Sequence, residues 1–206
     1  MDETLEFPAL VADRYELQEI IGRGGMALVG RVVDRTSGRQ LALKRLRPRV
    51  EQHGGARELF EREYRTLAQL AHPRIVEVVD YGLDGEVPFY TMELLDGGDL
   101  VARAPLGWRA ACEVAHDVCS ALSLVHARAM VYRDLSPRNV RCTGDGKAKL
   151  LDFGAMAPTG SAKFAVCTPA VASPEVVNMQ ALDARTDLYA LGATLYQTLT
   201  GRPPYP

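Results

Sequence analysis

Two carboxylates and a carboxamide are the residues of this chain with the clearest chemical potential. Asp134 is followed five residues later by Asn139, within Tyr132-Arg133-Asp134-Leu135-Ser136-Pro137-Arg138-Asn139, and Asp152-Phe153-Gly154 begins thirteen residues after that. All three side chains offer oxygen ligands for a hard cation, and either carboxylate could instead accept a proton. Upstream, Ile21-Gly22-Arg23-Gly24-Gly25-Met26-Ala27-Leu28-Val29 carries small residues at Gly22, Gly24, Gly25 and Ala27, where phosphate oxygens can approach the backbone N–H groups closely. Ala42-Leu43-Lys44 ends in a cation, and Phe60-Glu61-Arg62-Glu63 offers carboxylates. Taken singly these features are ordinary, since glycine hairpins are common and strand lysines usually lie in solvent.

The elements that must position these groups follow from periodicity and turn residues. Residues 15–33 read as two strands joined by the glycine-rich turn, and Gln40–Leu46 as another, entered through the polar stretch Asp34–Arg39. From Ala56 to Ala71, Leu59, Phe60, Tyr64, Leu67 and Leu70 recur at helical spacing, and Pro73 stops that helix. Short β-type runs at Ile75–Tyr81 and Val87–Leu94 flank the turn Asp84-Gly85. Beyond Asp96-Gly97-Gly98 the character becomes helical, notably over Trp108–Arg128. Lys149-Leu150-Leu151 then leads into Asp152 as a strand. The pattern is a mostly β portion followed by a mostly helical one, with a hinge near Glu93–Gly98.

Composition narrows the function classes. The 206 residues carry a net charge of −2, which argues against a nucleic-acid surface or a polybasic membrane anchor. No apolar run reaches the ~18 residues of a membrane span. Met1-Asp2-Glu3 lacks the basic and apolar regions of a signal peptide, so a cytoplasmic location is expected. Cys112, Cys119, Cys142 and Cys167 form no C-x-x-C pair, and His53, His72, His116 and His126 show no metal-ligand spacing. Cys112 and His116 fall four residues apart on a predicted helix. A two-ligand site is conceivable there, but packing within an alanine-rich helix is the expected reading. Unpaired thiols fit a reducing compartment.

In combination, these motifs resemble the protein kinase family. The Gly-Gly-Met loop and the Thr-Gly-Arg-Pro-Pro ending are similar to those of bacterial serine/threonine kinases. The resemblance implies an α+β, bilobal fold: an N-terminal extension 1–14, a small lobe 15–95 with an antiparallel β-sheet, and a mostly helical, incomplete large lobe 96–206. It implies transfer of the γ-phosphoryl group of ATP, with Mg²⁺, to a hydroxyl of a protein substrate. Asp134 would accept or orient the hydroxyl proton, while Asn139 and Asp152 would hold the metal. Lys44 would contact the phosphates, steadied by Glu63. Two unit charges ~4 Å apart attract by about 4 kcal/mol at an effective dielectric of ~20. Glu61 is a rival on the same helix, but Leu67 and Leu70 lie on the side of Glu63.

The same resemblance lines the nucleotide with Ile21, Gly22, Arg23, Gly24, Gly25, Met26, Ala27 (where a third glycine usually stands) and Val29 over the adenine, with Ala42 beside Lys44. Met92 would close the back of the pocket, the backbones of Glu93 and Leu95 would read the adenine edge, and Asp99 would bond ribose. Leu67, Val78, Tyr132 and Phe153 fall where the family stacks a hydrophobic column. Thr168-Pro169 and Ser173-Pro174-Glu175 match its activation segment, with Cys167 in place of a glycine; Thr159, Ser161 and Thr168 are its candidate phosphoacceptors, for which Arg133 would form a pocket, or else plain loop hydroxyls.

Two departures bear on activity. Ser136 stands where serine/threonine kinases carry lysine, and Arg138 stands where tyrosine kinases carry arginine, so Arg138 is expected to supply the missing charge. Arg141 replaces an apolar residue beneath the adenine and must stack on the base or snorkel past it. These departures leave a second reading, a pseudokinase acting as a regulatory nucleotide- or protein-binding module. A small-molecule phosphotransferase is a third. The stretch Asp183–Thr200 resembles the central large-lobe helix, with Asp187 bonding back to the catalytic loop. Family members continue with further helices, one carrying an arginine for Glu175, so a further C-terminal segment or a partner is expected to cover this core.

Overall fold

The computed structural model describes residues 7–48, 55–161 and 171–205, which divide into two compact units. One is built from residues up to Gln69 plus Glu77–Leu94, the other from Leu70–Val76 plus Leu95 onward.

The first unit holds a six-stranded antiparallel sheet and the helix Ala56–Ala68 among its described residues. Its strands are β1 (Leu10–Val11), β2 (Tyr15–Arg23), β3 (Ala27–Asp34), β4 (Gln40–Leu46), β5 (Val78–Asp84) and β6 (Val87–Glu93), in the order β1–β2–β3–β4–β6–β5. Alternation turns one side of β3 inward, so that Leu28 and Val32 join Tyr15, Leu41, Leu43 and Phe89 in a common core. Phe7 and Val11 belong to this core and β1 pairs with β2, so part of the stretch expected as an extension is woven into the sheet. The strand expected from Ile75 begins only at Val78. Ile75 and Val76 are drawn to the other unit, where Ile75 bridges Leu150 and Val76 N–H donates to the Leu150 carbonyl at 3.0 Å.

Helix α1 (Ala56–Ala68) follows Gly55, whose left-handed φ of 97° suits glycine. It buries Ala56, Phe60, Glu63 and Leu67, while Arg57, Glu61 and Arg65 form i,i+4 pairs on its outer side. At the sheet's far end Arg14 grips Asp34 through two bonds, 2.8 and 3.0 Å, and Asp80 at 2.8 Å. Tyr15 donates its hydroxyl to Asp80 at 2.9 Å.

The second unit packs around α3 (Trp108–Ala127), which buries Ala111, Val114, Val118, Ala121, Leu122 and Val125. Cys112, His116 and Cys119 are exposed, so the expected packing of Cys112 and His116 within that helix is not what forms. Asp117 is buried instead, accepting from Arg74 at 2.8 Å and from the Ala148 N–H at 2.9 Å. Around α3 lie the short helix α2 (Leu100–Arg103), the ribbons β7 (Met130–Val131) with β10 (Ala157–Pro158) and β8 (Val140–Cys142) with β9 (Ala148–Leu150), then α4 (Pro174–Val177) and α5 (Ala184–Thr200). Helix α5 buries Thr186, Asp187, Ala190, Leu191, Ala193, Thr194 and Thr198, and leaves Leu188, Tyr196 and Leu199 exposed on one side. Among the described residues no helix is long and apolar enough to cross a membrane.

Candidate functional site

In the first unit, antiparallel register puts the expected nucleotide residues on one side of the sheet. Val29 lies opposite Lys44, Ala42 opposite Met92, and Lys44 opposite Tyr90, so Val29, Ala42, Lys44, Tyr90 and Met92 share a face. Lys44 Nζ sits 2.6 and 2.8 Å from the two carboxylate oxygens of Glu63. Both groups are largely buried, at 15% and 4% side-chain exposure. Glu61 turns away to Arg57 and Arg65, which decides between the two carboxylates. A third group joins the pair: the buried Tyr90 hydroxyl donates to Glu63 Oε1 at 2.8 Å. Nothing in the local pattern of β6 announces this, because the contact depends on the packing of β6 against α1, far apart in sequence.

The glycine-rich segment forms the β2–β3 hairpin. Gly24 N–H donates to the Ala27 carbonyl at 2.9 Å and Arg47 N–H to the Met26 carbonyl at 2.9 Å. A Cβ on Gly24 would lie 3.2 Å from the Ala27 carbonyl, whereas one on Gly25 would meet nothing. Ile21 and Gly22 are half-buried; Arg23, Gly24, Gly25 and Met26 form the exposed tip. Glu93 closes the unit, its N–H bonded to the Glu77 carbonyl and its side chain to the Glu77 N–H.

In the second unit, the loop after β7 carries Asp134 and Asn139. Asn139 Nδ2 donates both to the Asp134 carbonyl and to its Oδ2, each at 2.8 Å. Two acceptors fix the amide orientation, so Oδ1 faces the other way, as a hard cation requires. Asp152 is exposed, with a φ of 48° that aspartate tolerates better than most residues. An amide oxygen and one carboxylate match the modest protein donor set Mg²⁺ takes when phosphates and water complete its shell. The loop itself hangs from buried Asp187. One carboxylate oxygen accepts from Tyr132 N–H at 2.9 Å and from His126 at 2.7 Å, the other from Arg133 N–H at 2.8 Å. Arg133 is thereby held at a φ of 75°. Tyr132 donates its hydroxyl to the Leu151 carbonyl and meets Phe153 edge-on, ring centroids 4.9 Å apart.

The departures are equally well placed. Ser136 is buried, and Arg138 is exposed, forming no ion pair among the described residues. Arg141, in β8, bridges Asp99 through the backbone, and its buried Nε has no hydrogen-bond partner among the described residues. The Asp99 side chain, expected at ribose, caps α2 by accepting from Ala102 N–H at 2.8 Å. Leu95 is buried. Glu175 accepts from the Thr186 hydroxyl at 2.9 Å, and Thr159 is exposed. Cys167 and Thr168-Pro169, like His53, lie outside the described residues. Among the described residues no group of three or more His, Cys, Asp or Glu could hold a metal ion.

Comparison with known proteins gives a consistent result. The model of the protein kinase domain matches residues 15–206. The DNA damage-responsive serine/threonine-protein kinase RqkA of Deinococcus radiodurans is 40% identical over 209 residues, covering 95% of this chain and 31% of that protein. Serine/threonine-protein kinase PknB of Mycolicibacterium smegmatis is 37% identical over 213 residues, covering 96% and 34%. PknB of Mycobacterium tuberculosis is 36% identical over the same length, with the same coverage. The chain thus spans about a third of the length of these relatives.

Proposed function

The chain belongs to the protein kinase domain family, and from that premise we propose that it transfers the γ-phosphoryl group of ATP to a serine or threonine hydroxyl of a protein. The observation that carries this reading is the Lys44–Glu63 pair, 2.6 Å apart and largely buried. Burying two opposite charges brings little net stability, so their retention in a core asks for a role outside folding. Lys44 would hold the nucleotide's phosphates, and the backbone of the 21–29 hairpin would lie against them. Asp134 would orient the acceptor hydroxyl and take its proton. Asn139 and Asp152 would hold Mg²⁺, which when bound neutralises charge on the phosphoryl group being transferred. With Ser136 neutral and buried, Arg138 would supply the cation that meets the γ-phosphate. Val29, Ala42, Met92, Glu93, Leu95, Asp99 and Arg141 would line the nucleoside. Such chemistry, together with the bacterial relatives, suits the cytoplasm.

A second reading is favoured by Ser136 and by the unpartnered Nε of Arg141: a regulatory domain that binds nucleotide or protein without turnover. One experiment separates the two. Transfer of radiolabelled phosphate from ATP to a general protein acceptor should be measured for this chain and for Asp152→Ala. We expect incorporation that the substitution abolishes. Equal signals would sink the enzyme reading, and nucleotide binding without turnover would establish the regulatory one.

A further inference from the structure

We propose that Tyr90 is a positioning residue for the Lys44–Glu63 pair, its phenol fixing the carboxylate so that the ammonium is presented in one place. The inference rests on the phosphate-holding role assigned to Lys44 above. Tyr90 is buried and stands directly opposite Lys44 across β4 and β6. Its hydroxyl lies 2.8 Å from Glu63 Oε1, the same oxygen that lies 2.6 Å from Lys44 Nζ. One carboxylate oxygen has two lone pairs, so the ammonium and the phenol occupy it together without competing. A glutamate tied only to a lysine is held by another flexible chain, and the two can swing as a pair. The phenol has no such freedom. Its ring packs against Phe60 at 5.2 Å and Tyr64 at 5.8 Å between centroids, on α1 residues that flank Glu63. Tyr64 in turn stacks on Tyr81 at 4.9 Å. Lys44 Nζ also lies 5.9 Å from the Tyr90 ring centroid, within range of the favourable attraction between a cation and an aromatic face. The sheet therefore grips Glu63 through a rigid neutral donor as well as through Lys44.

Tyr90→Phe removes the hydroxyl and keeps the ring, so packing on Phe60 and Tyr64 survives. We expect kcat/KM for ATP to fall about tenfold, the scale of one hydrogen bond to a charged group. In a Glu63→Gln background, itself impaired, the same change should cost less than twofold, because Tyr90 acts through that carboxylate. Amide exchange across α1 in the nucleotide-free chain should quicken several-fold in Tyr90→Phe and gain nothing further in the double variant. Unchanged kcat/KM and exchange in Tyr90→Phe would overturn the inference, as would fully additive losses in the double variant. Should the parent chain turn over no ATP, the kinase reading fails. The exchange measurement alone then decides whether Tyr90 holds Glu63.

Discussion

At the scale of single residues, the catalytic proposal stands or falls on charge. In the proposed mechanism Arg138 takes the place of the lysine that Ser136 displaces, and it stands exposed immediately before Asn139. Arg138→Ala should lower kcat about a hundredfold, as expected for loss of one charge-stabilising donor, with the dissociation constant for ATP little changed. Steady-state kinetics beside equilibrium nucleotide binding would check this, and retained turnover would remove Arg138 from the machinery. In the first unit, the Arg14–Asp34 pair is expected to contribute to acid stability. Hydrogen bonding from its guanidinium holds the Asp34 carboxyl well below the usual carboxylate range. Burial, then the bond to Asp80, pushes Tyr15 up to about 12. Because the folded-state value of Asp34 is depressed, its contribution is complete above an ordinary carboxylate pKa of ~3.9 and drains away as pH falls below it. Denaturant melts between pH 6 and pH 2 should therefore show a steeper acid loss for the parent chain than for Arg14→Met. Parallel profiles would show that the pair is not responsible.

Elements show both how much the sequence discloses and where it stops. Gln40–Leu46 reads as a strand from the polar turn Asp34–Arg39 that precedes it, and forms one over those residues although Leu, Ala, Lys and Arg are good helix formers. Glu63 rather than Glu61 is readable as the inward carboxylate because Leu67 lies on its side. Tyr90, Asp34 and Asp80 show nothing comparable, since each acquires its partner through tertiary packing between segments remote in sequence. Helix α3 fails in another way: alanine, valine and cysteine surround most of its circumference, so periodicity could not say that Cys112 and Cys119 would face out. Gly97 offers a sharp element-scale test. A Cβ on Gly97 would sit 2.5 Å from the Thr143 carbonyl and 2.8 Å from that of Cys142, both of them backbone that cannot yield cheaply. Gly97→Ala should destabilise by about 1–3 kcal/mol, the usual cost of overpacking, and thermal denaturation would measure it. A melting temperature equal to the parent's would mean that the segment from Asp96 to Asp99 shifts freely.

For the molecule as a whole, Asp187 and the outer side of α5 make opposite predictions. Asp187→Ala would strand His126 and two backbone N–H groups that now share one buried carboxylate. At about 1–3 kcal/mol for each buried group left unsatisfied, the loss should reach several kcal/mol and lower the melting temperature accordingly. Leu188→Lys and Tyr196→Lys, by contrast, alter exposed positions and should change stability in this chain by less than about 0.5 kcal/mol. A large loss would reveal that these side chains are covered in solution. The attachment of the Asp134 loop to Asp187 also has a consequence in time. Arg133 keeps its left-handed backbone only while α5 stands, so the loop has no separate route to disorder. Heating should then spare activity until the unit melts, and the two curves should superimpose: the Asp134 loop lasts as long as the fold that carries it.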